Sequence, residues 1–205
     1  MWRSDRIVGM LDQFELCDDI DEVIIIDNDW ANKPDIEFGP KVKYLKQDEN
    51  IFVNPAWNLG VALASNDRVC LLNDDVTFNV SSLFSQMSMC FDRFKCVGVN
   101  ARSYHLEDND YFELGIVEEA QTRFGWGCCI FVSKENWVDI PSGLKIWYGD
   151  NWIIRNNKAY SFVFPITTDM STTARSGVST ITETIRKDQK CWKTYEPNWV
   201  FNTSI

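Results

Sequence analysis

The sequence predicts an α/β fold: a mostly parallel central sheet flanked by helices. Three observations carry this. The runs DEVIIIDND at 21–29 and RVCLLNDDV at 68–76 are apolar without alternation, the pattern of strands buried on both faces. Between and around them apolar residues recur at helical spacing, so helices alternate with strands up to residue 95. At 205 residues with 45% hydrophobic content, the chain can bury a full core without disulfides or structural metals.

The elements follow in order. SDRIVGMLDQF at 4–14 sets Ile7, Leu11 and Phe14 on one helical face behind Ser4, a suitable N-cap. After the first apolar run, KVKYL at 41–45 is a short strand. NPAWNLGVALASND at 54–67 is a helix with Pro55 in its first turn and Trp57, Val61 and Ala64 along one face. RVCLLNDDV is the third strand, and SSLFSQMSMCFDRF a helix with Leu83, Phe84, Met87 and Phe91 inward. Farther on, KCVGVNA, GCCIFVS and YSFVFPITT read as strands, KENWVDI as a short helix and VSTITETIRKDQKCW as a late helix. No repeat, low-complexity tract or linker divides the chain, which is read as one domain over 1–205. An α/β domain ordinarily begins with a strand. Here a helix comes first, so either a strand precedes Met1 in a longer native chain or the fold does without it.

Composition narrows the function. Thirty Asp and Glu against twenty Lys and Arg give a net charge of -10, which argues against nucleic acid as a partner. A phosphate-bearing small ligand would need a local cation. No apolar stretch approaches the roughly 20 residues of a membrane span, and the start lacks a secretory profile. Seven cysteines without a C-x-x-C pair suit free thiols in a reducing compartment, so the expected location is cytoplasmic. His105, the single histidine, excludes multi-histidine zinc sites and reads as a loop residue, leaving oxygen ligands and hence Mg²⁺ or Mn²⁺.

Ligands of open parallel sheets bind beyond the carboxyl ends of the strands. Two strands end there in acids, at Asp27 and at Asp74-Asp75, although each cluster alone is also an ordinary turn. In KIWYGDNWIIR at 145–155, Asp150 follows Gly149 among aromatics, an unusual place for a merely solvated acid. Trp126, Trp147 and Trp152 are either core residues or a platform for a sugar ring, with Asp150 accepting a hydroxyl proton.

Taken together, IIIDND at 24–29, Asn58-Leu59-Gly60, LLNDDV at 71–76, GWGCCIFVS at 125–133 and WYGDNW at 147–152 resemble the nucleotide-diphospho-sugar glycosyltransferases of the GT-A (Rossmann-like) fold, family 2-like and of the rhamnosyltransferase-like branch. The resemblance spans about 130 residues. It implies an inverting, metal-dependent transfer from a nucleotide-sugar, taken as a UDP-sugar, to a hydroxyl of a glycan acceptor. Residues 1–95 would then be the nucleotide-binding half and 96–205 the acceptor-binding half.

By the same resemblance Asp27 contacts the base or ribose, with Asn58, Asn73 and Asp74 beside the donor and Trp2 and Arg3 near the nucleotide. Asp75 and Asn73 match the ends of the D-x-D metal motif, with Asn in place of its first Asp and Asp74 able to compensate. Asp169 stands where the family places a late metal ligand. Asp150 matches the catalytic base, with Gly149 where Glu is common. Trp126, Trp147 and Trp152 would meet the acceptor. A virus- or phage-encoded enzyme and the first module of a larger transferase are equally compatible with these features. Two alternatives stand: a sugar-phosphate nucleotidyltransferase, for which a Gly-rich, Arg- and Lys-bearing loop near the start is missing, and a non-catalytic carbohydrate-binding domain.

Overall fold

The structure, a computed structural model, describes residues 6–106, 114–119, 125–168 and 178–198. Helix α1 (Arg6–Leu16) buries Met10 and Phe14 and leads to β1 (Val23–Asp27), which pairs in parallel with β2 (Val42–Lys46). Helix α2 (Val53–Leu63) packs on β1 and on β3 (Arg68–Leu72). The run RVCLLNDDV is not one strand. Asn73–Asp75 break it, and Val76 restarts in β4 (Val76–Thr77), which pairs antiparallel with the distant β9 (Thr167–Thr168). Helix α3 (Val80–Cys90) opens where the Asn79 side chain accepts the Ser82 N–H at 3.0 Å, an N-cap bond.

The second half contributes β5 (Cys96–Val99), β6 (Gly115–Glu119), β7 (Cys129–Ser133) and β8 (Tyr160–Val163), with α4 (Gly149–Asn156) before β8 and α5 (Val178–Tyr195) near the end. These strands and β3 form one sheet of order β3-β7-β5-β8-β6. The α/β class holds, but the sheet is mixed: β7 lies antiparallel to both β3 and β5, β6 is antiparallel to β8, and only β5 and β8 run parallel. The physical reason is that an uninterrupted apolar run encodes burial on two faces, not strand direction.

The sheet separates two apolar clusters fed by alternate residues of β7. Cys129 and Phe131 join α1 and α3 on one face, while Ile130 and Val132 join Trp126, Ile153 and Trp192 on the other. KENWVDI departs from the expected helix. Only a 3-10 turn at Lys134–Asn136 forms, because Asn58 of α2 captures the backbone of Ile140, donating to its carbonyl at 2.8 Å and accepting its N–H at 2.9 Å. The Glu135 N–H is likewise held, by Asp67 at 3.0 Å.

Gly98 of β5 lies directly beneath the Trp126 ring, and a Cβ there would overlap it. Gly98→Ala is therefore expected to destabilise the protein by about 1–3 kcal/mol through overpacking, read as a lower urea midpoint with an unchanged slope.

Candidate functional site

Asp27, at the end of β1, is 2% exposed. Its carboxylate accepts the Tyr44 hydroxyl at 2.6 Å and the Asp29 N–H at 2.8 Å. Burial, reinforced by the bond to Asp27, pushes the Tyr44 hydroxyl up to about 12. Asp27 thus ends its strand with both carboxylate oxygens engaged. It shares a cleft of about 910 Å³ with Asn28, Asn73, Asp74 and Trp57.

The turn after β3 joins this cleft to the other acids. The Asn73 N–H bonds the Cys128 carbonyl at 3.0 Å, and the side chains of Asn73 and Tyr104 both bond the Cys128 thiol. Burial first, then the negative charges of Asp75 and Asp150, push that thiol up to about 11 against the opposing effect of its hydrogen bonds. Cys128 therefore lies within electrostatic reach of both acids. Three sequence-distant segments, 73–75, 126–128 and 148–150, meet here. Asp150 occupies the first turn of α4, where its carboxylate accepts the Asn151 N–H at 2.9 Å. Burial outweighs that bond and raises the carboxyl above the usual carboxylate range.

The loop that delivers Asp150 is held from two sides. The fully buried carboxylate of Asp188, on α5, accepts the N–H groups of Lys145, Ile146 and Trp147 at 2.8, 2.8 and 2.9 Å. Across the loop, the Asn54 N–H donates to the Lys145 carbonyl at 3.0 Å and its side-chain amide to the Trp147 carbonyl at 3.2 Å. Tyr148 then takes a left-handed conformation, φ 65°, and stacks on Trp192 with ring centroids 5.4 Å apart. Gly149 has no room for a side chain because Asn54 and Trp57 fill the space a Cβ would need. This explains the glycine where the resembled family commonly carries Glu.

Asn73 thus bonds Cys128, Asp150 packs against the neighbouring Gly127, and the charges of Asp75 and Asp150 reach that thiol, while Asp27, Asn73 and Asp74 line the cleft. Asn58 is placed differently from expectation: its side-chain amide is engaged with the Ile140 backbone. Trp126 is a correction as an acceptor platform, being 1% exposed with its indole N–H on the Tyr160 carbonyl at 3.2 Å. Trp147 and Trp152 are half-buried, and the Trp152 indole donates to the Val138 carbonyl at 3.2 Å. Trp2, Arg3 and Asp169 lie outside the described residues. Among the described residues, no group of three or more His, Cys, Asp or Glu side chains is gathered to hold a metal by itself. Also among them, no helix is long and apolar enough to cross a membrane.

Sequence reasoning missed Asp188 and Asn54. A signal for Asp188 existed: with Ile185 and Trp192 it falls on one face of the late helix, an acid on an apolar stripe.

No family model matches the chain, and no curated protein matches it. Among solved structures, HddC from Yersinia pseudotuberculosis aligns over 86% of this chain and 84% of its own, with a TM-score of 0.50 at 14% identity. A proposed glucose-1-phosphate thymidylyltransferase from Bacillus anthracis, in complex with a sucrose, covers 98% of this chain and 86% of its own, with a TM-score of 0.47 at 13% identity. The likeness to HddC is one of fold, a shared α/β architecture.

Two outcomes follow from this geometry. Asp188→Ala strands three N–H groups at once and is expected to cost on the order of 3 kcal/mol, measured by urea unfolding. Asp150→Asn is expected to raise the melting temperature at neutral pH. The folded-state pKa of Asp150 is raised, so its contribution is favourable below the unfolded pKa and is lost as pH climbs through the folded one. The gap between variant and parent should accordingly close as pH falls below about 4, the range of an unperturbed Asp.

Proposed function

We propose that the protein is a transferase acting on a nucleotide-linked sugar, and that it moves the sugar from a UDP-sugar to a hydroxyl of a glycan acceptor with inversion. The observation that supports this reading is the meeting of the segments 73–75, 126–128 and 148–150, which carry Asp75 and Asp150, beside a cleft lined by Asp27 and Asn73. A carboxylate of raised pKa at a buried helix start is suited to take a proton from an alcohol. In this reading Asp150 removes the acceptor hydroxyl proton while that oxygen bonds to the anomeric carbon and the bond from that carbon to the diphosphate oxygen breaks.

The diphosphate meets an acidic rim; among the described residues Arg68 is the one basic side chain lining the cleft, and it sits at the start of β3, away from the rim, paired with Asp92 at 3.1 Å. A divalent ion reconciles these charges. Mg²⁺-type sites commonly take one or two protein ligands and complete their shell with water and substrate phosphates, so Asp75 and Asn73 fit as holders without a third side chain. When bound, the ion would neutralise charge developing on the departing diphosphate. A glycan acceptor would approach from the side of Trp147, just ahead of α4, and Trp152, within it, both half-buried rings.

A second reading is sugar-phosphate nucleotidyl transfer, the activity named for the Bacillus anthracis structure. It would use the same rim and separates by product: pyrophosphate from a nucleoside triphosphate rather than a nucleoside diphosphate from a nucleotide-sugar.

Calorimetric titration of UDP with and without Mn²⁺ tests the site. Binding is expected to require the metal and to weaken by at least about tenfold in Asp75→Ala, a loss of the size seen when metal-site residues are removed. UDP release from UDP-sugars should vanish in Asp150→Asn with UDP affinity retained. Metal-independent binding, or pyrophosphate as the product, would overturn the glycosyl-transfer reading.

A further inference from the structure

Asp150 and the cleft are neighbours without sharing a surface. Among the described residues, the cleft that holds Asp27 and Asn73 is lined by none of 126–128 or 148–150. The ring of Trp57, on α2, joins the two. Trp57 lines the cleft, and the far edge of its six-membered ring lies between Gly127 and Gly149. A Cβ on Gly127 would stand 3.2 Å from the Trp57 Cη2 and 3.3 Å from the Asp150 Cβ, and a Cβ on Gly149 would stand 3.1 Å from the Trp57 Cζ3. Glycine at both positions lets the indole reach the start of α4.

The ring is more than core filling. Trp57 packs against the apolar cluster around Trp126 and Ile153 yet stays only partly buried. The indole N–H groups of Trp126, Trp137 and Trp152 donate to the Tyr160 carbonyl, the Asp139 carboxylate and the Val138 carbonyl. Among the described residues the Trp57 N–H has no such acceptor. An indole with one edge anchored, the rest of its surface on a polar cleft and a spare donor suits a ligand that offers C–H groups and oxygens together. A sugar ring is such a ligand: its C–H face lies on the aromatic surface while a hydroxyl oxygen accepts the N–H.

We infer that Trp57 is the surface on which the transferred sugar of the nucleotide-sugar rests, and that it is a specificity-determining residue of the site. The inference rests on the transfer reading above. In that reading the sugar carries the bond that breaks, so it lies between the nucleotide on the cleft and the acceptor oxygen at Asp150. Trp57 touches both places. Its ring rewards a sugar that presents an unbroken C–H face. A hydroxyl turned against that face loses its hydrogen bonds to water and gains none, which is how an aromatic wall discriminates between epimers.

Calorimetric titration in Mn²⁺ of UDP, UDP-glucose, UDP-galactose and UDP-N-acetylglucosamine into the parent, Trp57→Phe and Trp57→Ala tests it. At least one UDP-sugar is expected to bind the parent about tenfold more tightly than UDP. Trp57→Phe, which keeps a ring but lacks the N–H, should retain part of that margin. Trp57→Ala should lose it while binding UDP as the parent does. If Trp57→Ala fails to fold, the parent supplies a second readout: the indole N–H signal that disappears in Trp57→Phe should shift with the UDP-sugar and stay in place with UDP. No margin for any of the three sugars, a margin that survives in Trp57→Ala, an equal loss of UDP and UDP-sugar affinity, or an indole signal that moves equally with both overturns the inference and leaves the transfer reading standing. Absence of UDP binding by the parent overturns the transfer reading and the inference with it.

Discussion

The carboxylate of Asp188 is the contact on which the candidate site depends. Three successive backbone N–H groups converge on it. One helical turn farther on, Trp192 stacks under Tyr148, so a single face of α5 holds the whole approach to α4. Asn54 closes the other side of the same loop from α2. With both in place, Tyr148 is held in a conformation that costs on the order of 1–3 kcal/mol for a non-glycine residue. That strained turn starts α4 where Asp150 can sit beneath Gly127, whose missing Cβ would stand only 3.3 Å from the Asp150 Cβ.

This support allows an electrostatic arrangement that would otherwise disperse. Asp75 and Asp150 both bear on Cys128, and a third acid, Asp27, lies on the adjoining cleft. The groups between them are neutral: a thiol kept protonated by burial, the Tyr104 hydroxyl and the Asn73 amide. At Asp150 itself burial, acting against the backbone hydrogen bonds to its carboxylate, leaves a carboxyl that retains its proton more firmly than in water. A fold does not gain stability from such a centre. Local costs of this kind concentrate where chemistry or binding is performed.

The sequence made the strands legible because burial on two faces leaves an apolar run, and it made the acids legible because they interrupt such runs. Asp27, Asp75 and Asp150 could be selected on that basis. Strand direction left no comparable trace, so β7 running against its neighbours was not foreseen, and β6 lies in a stretch with no readable alternation. KENWVDI was misread because its conformation is imposed by Asn58, far away in sequence. Trp126 and Trp152 carry the same side chain, yet one lies within the core and the other against the Tyr195 ring; only the packing around each distinguishes them. Asp188 was visible as an acid on an apolar helical face, but its partners are backbone groups that no sequence pattern announces.

The acids of the rim do not belong to one sheet. Asp27 ends a strand of the two-stranded sheet, whereas Asn73, Asp74 and Asp75 end a strand of the five-stranded one. Hydrogen bonds at the opposite end, from Ser65 and Asn66 to Glu22 and Asp21, and the packing of α2 on both strands help set one group against the other. The spacing of the rim is therefore the width of the cleft, transmitted along two strands pinned at their starts. Adjacent strands in a sheet hold a spacing near 4.8 Å, fixed by their hydrogen bonds, whereas two strands across an open gap have no such rule. Whatever determines the width of that gap also determines how far Asp27 stands from Asn73. The continuity of the sheet layer and the spacing of the rim are the same variable in this fold.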